Sequence, residues 1–457
     1  MASTYINSPN GTGTDPQIAT FSMWFKITKP EATEVYLFSG GDGASNNSWL
    51  RVQGGTGQLY FRNRTSSSND CVIQTNAQYR DVNGWYHVVL KLNSTLSTAA
   101  DRATMYVNGE EITSFSSSTD MTQNNLFHMF GATITHIGKR VNDGSTGNLG
   151  GFLASHVHFC DGYAYDASAF GETDANGVWK IKTSPSVTYG TRGFFILKDG
   201  NSVTDQSGNS NNFTVAGGTL TNTEDSPSNV FNVLNAVSNP PNGYTLSNGN
   251  TRATQTGSSF QRFYIANTIA PTSGKWYWES KLITSGGSDR TSIGICSYDE
   301  NIGTGTTEPN NELSIVTGIS RIRIRENGST TEVDSFYTVP SANDIFMYAL
   351  DLDNTKFYFG VNGNWWNYNT AETGGDPTSG SGYVTNSTNI IKNAMSAFLR
   401  IDAGAVSTTF TNEFNFGNGY FGTTAVSSAG TNASGNGIFE YDVPSGYTAL
   451  STRGLNL

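Results

Sequence analysis

Short runs in which apolar and polar side chains alternate, each stopped by a cluster of Gly, Asn, Ser or Thr, recur from end to end and confine the chain to brief paired strands. The first are Phe21-Ser22-Met23-Trp24-Phe25-Lys26-Ile27, Tyr36-Leu37-Phe38, Trp49-Leu50-Arg51-Val52 and Gln58-Leu59-Tyr60-Phe61. Gly84 to Leu92 and Arg102 to Val107 follow, and the latter runs into Asn108-Gly109, the strongest short hairpin signal. Further strands are expected at Thr133 to Lys139, Phe152 to Phe159 and Gly193 to Leu197, and no capped helix of ordinary length precedes residue 215.

From Thr219 to Ser259 the chain changes character: Pro227, Pro240 and Pro241 stand among Asn, Ser and Thr, with few large apolar residues. Strand signals resume at Phe260 to Ile265, Lys275 to Ile283, Thr291 to Cys296, Ser320 to Arg325, Asp344 to Leu352 and Lys356 to Val361, the last closed by Asn362-Gly363. Ala397 to Ile401, Ser407 to Phe410, Phe414 to Phe416 and Phe439 to Tyr441 complete the set. The expected class is all-β, two antiparallel β-sandwich (jelly-roll) domains in tandem: residues 1–218 with a C-terminal extension, a linker over 219–259, and residues 260–457.

Composition narrows the function classes. Charged residues are only 14%, yet 8 Trp, 21 Tyr and 26 Phe must be buried somewhere, which excludes disorder. A net charge of −11 argues against nucleic acid as a partner. The first basic residue is Lys26 and no apolar run approaches the ~20 residues that span a bilayer, so the expectation is a chain made in a cytoplasm, with neither signal nor membrane segment. Three cysteines, Cys71, Cys160 and Cys296, are too few for a disulfide framework.

Gly84-Trp85-Tyr86-His87-Val88-Val89 followed by Thr104-Met105-Tyr106-Val107-Asn108-Gly109 resembles the core signature of the laminin G and concanavalin A-like sandwich, in which a Trp-x-His strand precedes a strand ending in Asn-Gly. His136-Ile137-Gly138 and Phe152-Leu153-Ala154-Ser155-His156-Val157 are similar to that family's later strands. The second half resembles a SPRY-type sandwich at Gly274-Lys275-Trp276-Tyr277-Trp278-Glu279, Ser292-Ile293-Gly294-Ile295, Ala349-Leu350-Asp351-Leu352-Asp353, Lys356-Phe357-Tyr358-Phe359, Val361-Asn362-Gly363 and Asn415-Phe416-Gly417. Between them, Asp161-Gly162-Tyr163-Ala164-Tyr165-Asp166 and Asp205-Gln206-Ser207-Gly208-Asn209-Ser210-Asn211-Asn212-Phe213 look like a segment of tailed-phage virion proteins, especially marine ones, that joins two such modules. The resemblance implies a virion surface protein made in the host cytoplasm, with other virion proteins as partners. It implies a tail fibre or receptor-binding subunit, or a capsid decoration protein, without deciding between them.

Catalysis would need paired acids. Asp351-x-Asp353 has the spacing, but both fall where the SPRY pattern places acids before a turn, and Glu279 likewise matches the fold pattern. No nucleophile elbow is present, and only five His residues exist to act as bases. The reading is therefore not an enzyme. His156-x-His158 is the one metal-like spacing, with Cys160 beyond the reach of a shared zinc ion, so satisfied sheet histidines are preferred. The first resemblance implies calcium instead, with Asp42 in Gly40-Gly41-Asp42-Gly43 and Asp143 as its carboxylates, although no alternating Asp/Asn loop accompanies them. No other cofactor is implied.

For glycan or partner binding, Trp365-Trp366 beside Asn364 cannot bury both indoles on one sheet face, which leaves core packing, a subunit contact and a sugar platform open. Trp49 after Asn46 is a weaker candidate of the same kind. Arg321-Ile322-Arg323-Ile324-Arg325 projects three guanidiniums from one strand face: a solvated face first, a dock for an acidic neighbour or anionic polysaccharide second. Three hypotheses follow: a virion surface protein that binds host-surface glycan, capsid decoration with no receptor role, and a polysaccharide-degrading enzyme. A receptor fibre generally needs an anchor or a shaft, and the absence of heptads or fibrous repeats keeps decoration close behind. Homo-oligomerisation fits the symmetry of virion sites.

Overall fold

The computed structural model describes residues 4–9, 11, 13–29, 34–129, 135–141, 151–198, 202–236, 244–255, 261–284, 290–297, 310–316, 320–333, 341–384, 395–403 and 409–456. Among the described residues the regular structure is almost wholly β-strand, and the chain divides into two units, Met1–Asn222 with Ser226–Ser228, and Thr223–Asp225 with Asn229–Leu457.

In the first unit, the period of two decides which way each side chain faces. Along Ile18–Ile27, Phe21, Met23, Phe25 and Ile27 enter the core, while Ser22, Trp24 and Lys26 face the other way. An eight-stranded sheet runs Phe115–Thr119, Ser68–Gln78, Gln58–Thr65, Asn47–Val52, Val35–Gly41, His136–Ile137, Tyr5–Asn7 and Thr214–Gly217. A six-stranded sheet runs Phe194–Ile196, Phe152–Asp161, Ile18–Ile27, Tyr86–Asn93, Ala103–Val107 and Glu110–Glu111. Every pairing within both sheets is antiparallel, and their inward residues, Phe38, Leu50 and Phe61 against Phe21, Leu90 and Met105, share one core.

The chain from Gly162 to Tyr189 covers the outward side of the six-stranded sheet. Phe170, Ala167 and Trp179 pack there on Val89 and Cys160. Two buried carboxylates fix this cover. Asp161 accepts the amides of Thr14 (2.5 Å) and Arg192 (2.9 Å), and Asp205 accepts those of Phe195, Ser207 and Asn211, each at 2.9 Å. Asn209 and Asn211 both donate to the Gly193 carbonyl at 2.9 Å, so the Asp205–Asn212 motif is a polar clamp. Beneath the cover, His87 stacks on Trp24 at 4.7 Å, lies 2.8 Å from Ser22 Oγ through Nε2, and accepts the Trp179 indole N–H at 3.0 Å through Nδ1. That donor fixes the neutral tautomer with its proton on Nε2, donated to Ser22.

Both units use one hairpin joint. Asn108 and Gly109 have φ of 50° and 87°, and Asn362 and Gly363 have 48° and 82°, the left-handed pair that a tight two-residue turn demands. The Asn side chain then accepts an amide from the neighbouring strand, His87 N–H to Asn108 Oδ1 at 2.8 Å and Ile345 N–H to Asn362 Oδ1 at 2.9 Å. A Cβ at Gly109 would meet the Trp179 ring at 2.5 Å as well as the positive φ. Gly109→Ala should therefore destabilise the first unit by about 2–3 kcal/mol, seen as a lower melting transition for that unit alone.

In the second unit, a nine-stranded sheet places Lys275–Thr284 between Phe410–Asn415 and Ile345–Asp351, with Lys356–Val361 and Asn364–Asn367 beyond. A six-stranded sheet runs Gln261–Ala266, Met395–Ala403, Arg290–Ser297, Glu312–Val316, Arg321–Glu326 and Ser329–Val333. Trp278, Phe346 and Phe357 from the first meet Ile293, Ile295 and Leu313 from the second, which makes a sandwich core. A smaller cluster of Tyr277, Tyr358, Phe439 and Tyr447 lies apart from that core.

The expected linker over 219–259 does not hold as drawn. From Asn229 the chain belongs to the second unit, where Phe231, Val233 and Leu234 are buried. Tyr244–Ser247 and Arg252–Gln255 form a hairpin that pairs with Phe410–Asn415 at the sheet edge. A few apolar anchors suffice there because backbone groups are tied in as well, the Asn232 N–H donating to the Leu450 carbonyl and the Ile269 amide to Asn232 Oδ1, both at 2.9 Å. Phe439 to Tyr441, expected as a strand, is irregular chain. Residues 130–134, part of the expected strand from Thr133, lie outside the described residues.

Candidate functional site

The outward face of the eight-stranded sheet carries the densest set of side chains suited to binding. Ser48, Leu50 and Val52 of Asn47–Val52 point inward, so Asn47, Trp49 and Arg51 point outward. The neighbouring strand repeats the pattern, with Leu59, Phe61 and Asn63 inward and Tyr60, Arg62 and Arg64 outward. Register then sets Trp49 opposite Arg62, Arg51 opposite Tyr60 and Asn47 opposite Arg64, with Tyr36 opposite Arg51 on the far side.

Rings and guanidiniums interlock on this face. Trp49 stacks on Tyr60 with centroids 5.1 Å apart and meets Tyr36 edge-on at 5.6 Å. The Arg51 guanidinium lies 4.6 Å from the Trp49 centroid, 5.0 Å from Tyr60 and 5.9 Å from Tyr36. Arg62 covers Trp49 at 4.4 Å, and Arg140 stands 5.9 Å from Tyr36. Cation–ring contacts of this kind are worth about 0.5–2 kcal/mol each. They leave Trp49 4% and Tyr36 0% exposed. What solvent meets here is guanidinium edge, not indole face.

The charge is only partly answered. Arg51 is ion-paired to Glu34, which also accepts the Tyr36 hydroxyl at 2.7 Å. Arg62 donates through Nη2 to Asn47 Oδ1 at 2.7 Å, and Arg64 donates to the carbonyls of Ala44 and Ser67. Burial, then repulsion from Arg64 and Arg140, lowers Arg62 to about 10. The Nε atoms of Arg51, Arg62 and Arg64 and the Trp49 indole N–H are buried without an acceptor among the described residues.

Sequence reasoning singled out Trp49 here and missed Tyr36, Tyr60, Arg51, Arg62, Arg64 and Arg140. The signal was present in Trp49-x-Arg51 and Tyr60-x-Arg62-x-Arg64, two alternations on consecutive strands. Asn46 does not join them: its Oδ1 accepts the Ser66 amide at 2.9 Å and braces the turn.

The other expected residues are placed differently. Trp365 and Trp366 point to opposite faces, Trp365 edge-on to Tyr277 at 6.2 Å and Trp366 against the sandwich core, so both are half-buried packing groups. Asn364 is exposed, its amide turned to the Asn362 carbonyl. The stripe on Arg321–Glu326 is answered within its own sheet: Glu332 pairs with Arg321 and Arg323, and Arg325 donates to Thr330 Oγ1 at 2.8 Å. Asp42 is exposed at the Asp42–Asn46 turn, and Asp143 lies outside the described residues. Among the described residues no three His, Cys, Asp or Glu groups converge on a metal position.

The acids offered for catalysis serve the fold. Asp351 accepts both Asn354 N–H groups at 2.9 Å and Lys275 at 3.1 Å, while Asp353 caps the Gly274 amide at 2.8 Å. Glu279, fully buried, accepts the amides of Glu440 and Tyr441 and the Tyr277 hydroxyl, each at 2.9 Å, and Asn415 Nδ2 at 3.3 Å. His156 sits at φ 47° in a bulge that breaks the regular two-residue period, and bonds Ser155 Oγ at 2.8 Å. His158 stacks on Phe195 at 4.0 Å and bonds the Tyr189 hydroxyl at 3.0 Å. Cys71, Cys160 and Cys296 are buried and none is in a disulfide.

Residues 1–152 match the family model of the concanavalin A-like lectin/glucanase superfamily. No curated protein matches the chain in sequence. Among solved structures, the SPRY domain of human HERC1 is similar at 13% identity, with 37% of this chain and 91% of that chain covered and a TM-score of 0.26. The TRIM65 PSpry domain is similar at 11% identity over 40% of this chain and 88% of its own, with a TM-score of 0.28. A native heptameric SAP-like pentraxin from Limulus polyphemus is similar at 16% identity over 36% and 77%, with a TM-score of 0.24.

Proposed function

We propose that this chain is a non-catalytic attachment protein on the surface of a tailed-phage particle, a tail-fibre or receptor-binding subunit that holds glycan of the host surface on the outward face of its eight-stranded sheet. The observation that carries this reading is the Tyr36–Trp49–Tyr60 ring stack under Arg51 and Arg62, a rigid array of donors on a sheet face rather than on a loop. The non-catalytic part is supported by Glu279, Asp351 and Asp353, each of which is tied to backbone amides. Virion origin is supported by the likeness of the Asp161 to Phe213 segment to virion proteins, a segment that here is built into the first unit. Other virion proteins and further copies of the chain are its partners in this reading, since weak sugar contacts gain from multivalency.

Antibody raised against the chain and applied to intact particles should label the tail under the electron microscope. The purified chain, added first to host cells, should reduce particle adsorption. Label on the head lattice with unchanged adsorption would move the chain to capsid decoration, and no label on any particle would end the virion reading.

A further inference from the structure

The geometry points to an acidic polysaccharide, bearing carboxylate or sulfate groups, as the ligand of the Arg51, Arg62 and Arg64 face. This rests on the attachment reading and names the chemistry of its ligand.

Three observations converge on it. The first is uncompensated charge: of Arg51, Arg62 and Arg64 only Arg51 is ion-paired among the described residues. Guanidiniums are brought together here although the whole chain carries −11, so no general positive field accounts for them. The second is unused donors. Arg51 Nη2 and Arg62 Nη1 have no acceptor among the described residues, and unlike the Nε atoms beneath them they are not buried, so a ligand on this face can reach them. A carboxylate or sulfate oxygen accepts charge-assisted N–H bonds from such guanidinium groups, stronger than those to a neutral hydroxyl.

The third observation excludes alternatives. A neutral sugar stacks on an open ring, and a single-stranded nucleic acid stacks its bases the same way. Here the rings are closed, Trp49 being 4% and Tyr36 0% exposed beneath the cations. Arg62 and Arg64 stand two residues apart on one strand, about 7 Å, so the face offers a row of charges rather than one hole. A row suits a polymer whose charges repeat.

The test uses the whole chain and titrates it with polygalacturonate, dextran sulfate, neutral dextran, inorganic sulfate and a single-stranded oligonucleotide. The two acidic polysaccharides should bind, neutral dextran should not, and binding should weaken about tenfold between about 50 and 500 mM NaCl. Arg62→Gln should weaken binding about tenfold, and Arg64→Gln, at a more open position, should do so while keeping the parental melting curve. Lys182→Gln, a charge change elsewhere on the unit, should leave binding unaltered.

Equal binding of neutral dextran, with both arginine variants unaffected, would overturn the acidic ligand while leaving the attachment reading intact. Tighter binding of the oligonucleotide, millimolar sulfate that competes as well per charge as the polymers, or no binding by any probe would also overturn it. The attachment reading fails separately, on the adsorption measurement.

Discussion

Glu279→Ala should cost the second sandwich about 3–5 kcal/mol, the expected penalty for leaving several buried donors without an acceptor. The loss follows from what remains: two backbone amides, a phenol and a carboxamide, all aimed at a carboxylate no longer there. Glu279 joins Lys275–Thr284 to the irregular chain at Glu440 and Tyr441, so the cluster of Tyr277, Phe439 and Tyr447 should loosen with it. By calorimetry, the second unit's transition should drop on the order of 10 °C while the first unit's stays in place. Glu279→Gln keeps the shape but turns an NH2 toward those donors, and should recover only part of the loss. Two variants that melt like the parent would show that the carboxylate is dispensable.

Acidification should act on the other sandwich. Burial holds His87 down at about 3, and burial again, with repulsion from His156 and His87, holds His158 well below its ordinary 6.5. Because these folded values lie below the unfolded one, the stability they contribute is complete above pH 6.5 and is lost as pH falls toward the folded values. Each histidine removes about 1.4 kcal/mol per pH unit in that window, so the pair removes about 4 kcal/mol by pH 5. For His87 the structural cause is specific: a proton on Nδ1 would point at the Trp179 N–H that now donates to it.

Glu279 has the opposite sign. Burial lifts its carboxyl to about 7 against the donors that pull it down, so its contribution is present below about 4.5 and fades as pH rises through 7. Melting at pH 7, 6 and 5 should therefore move the two transitions in opposite directions. His87→Gln should lower the first at pH 7 and cut its pH slope by about a quarter, since His158 and also His128 and His136, which burial likewise holds down, remain. A first-unit transition indifferent to pH would refute the histidine account.

How much was legible depended on where the physics is local. Period-two alternation marked Ile18–Ile27, Tyr86–Asn93 and Lys275–Thr284 because one face of each must enter a core. Asn108-Gly109 and Asn362-Gly363 identified their turns because few residues accept two successive positive φ values. Phe115–Thr119 gave no such signal: all five of its residues are exposed, and only pairing with Ser68–Gln78 makes it a strand. The supposed linker misled for the same reason, since Tyr244–Ser247 is a strand through Arg252–Gln255, and that one in turn through Phe410–Asn415. At the candidate site, Trp49 could be singled out as a residue type, but its burial under Arg51 and Arg62 depends on cross-strand register, which no single strand reveals. The conspicuous Trp365-Trp366 pair and the Arg321–Arg325 stripe were residue types too, and in three dimensions their neighbours answer them.

The three shielded thiols make the protein its own unfolding recorder. Cys71 and Cys160 lie in one sandwich and Cys296 in the other, each at most 1% exposed. A maleimide added to the native chain should stay unreacted until a sandwich opens, and the position modified reports which one did. Breathing of the two halves can thus be timed separately by mass spectrometry, with no engineered label.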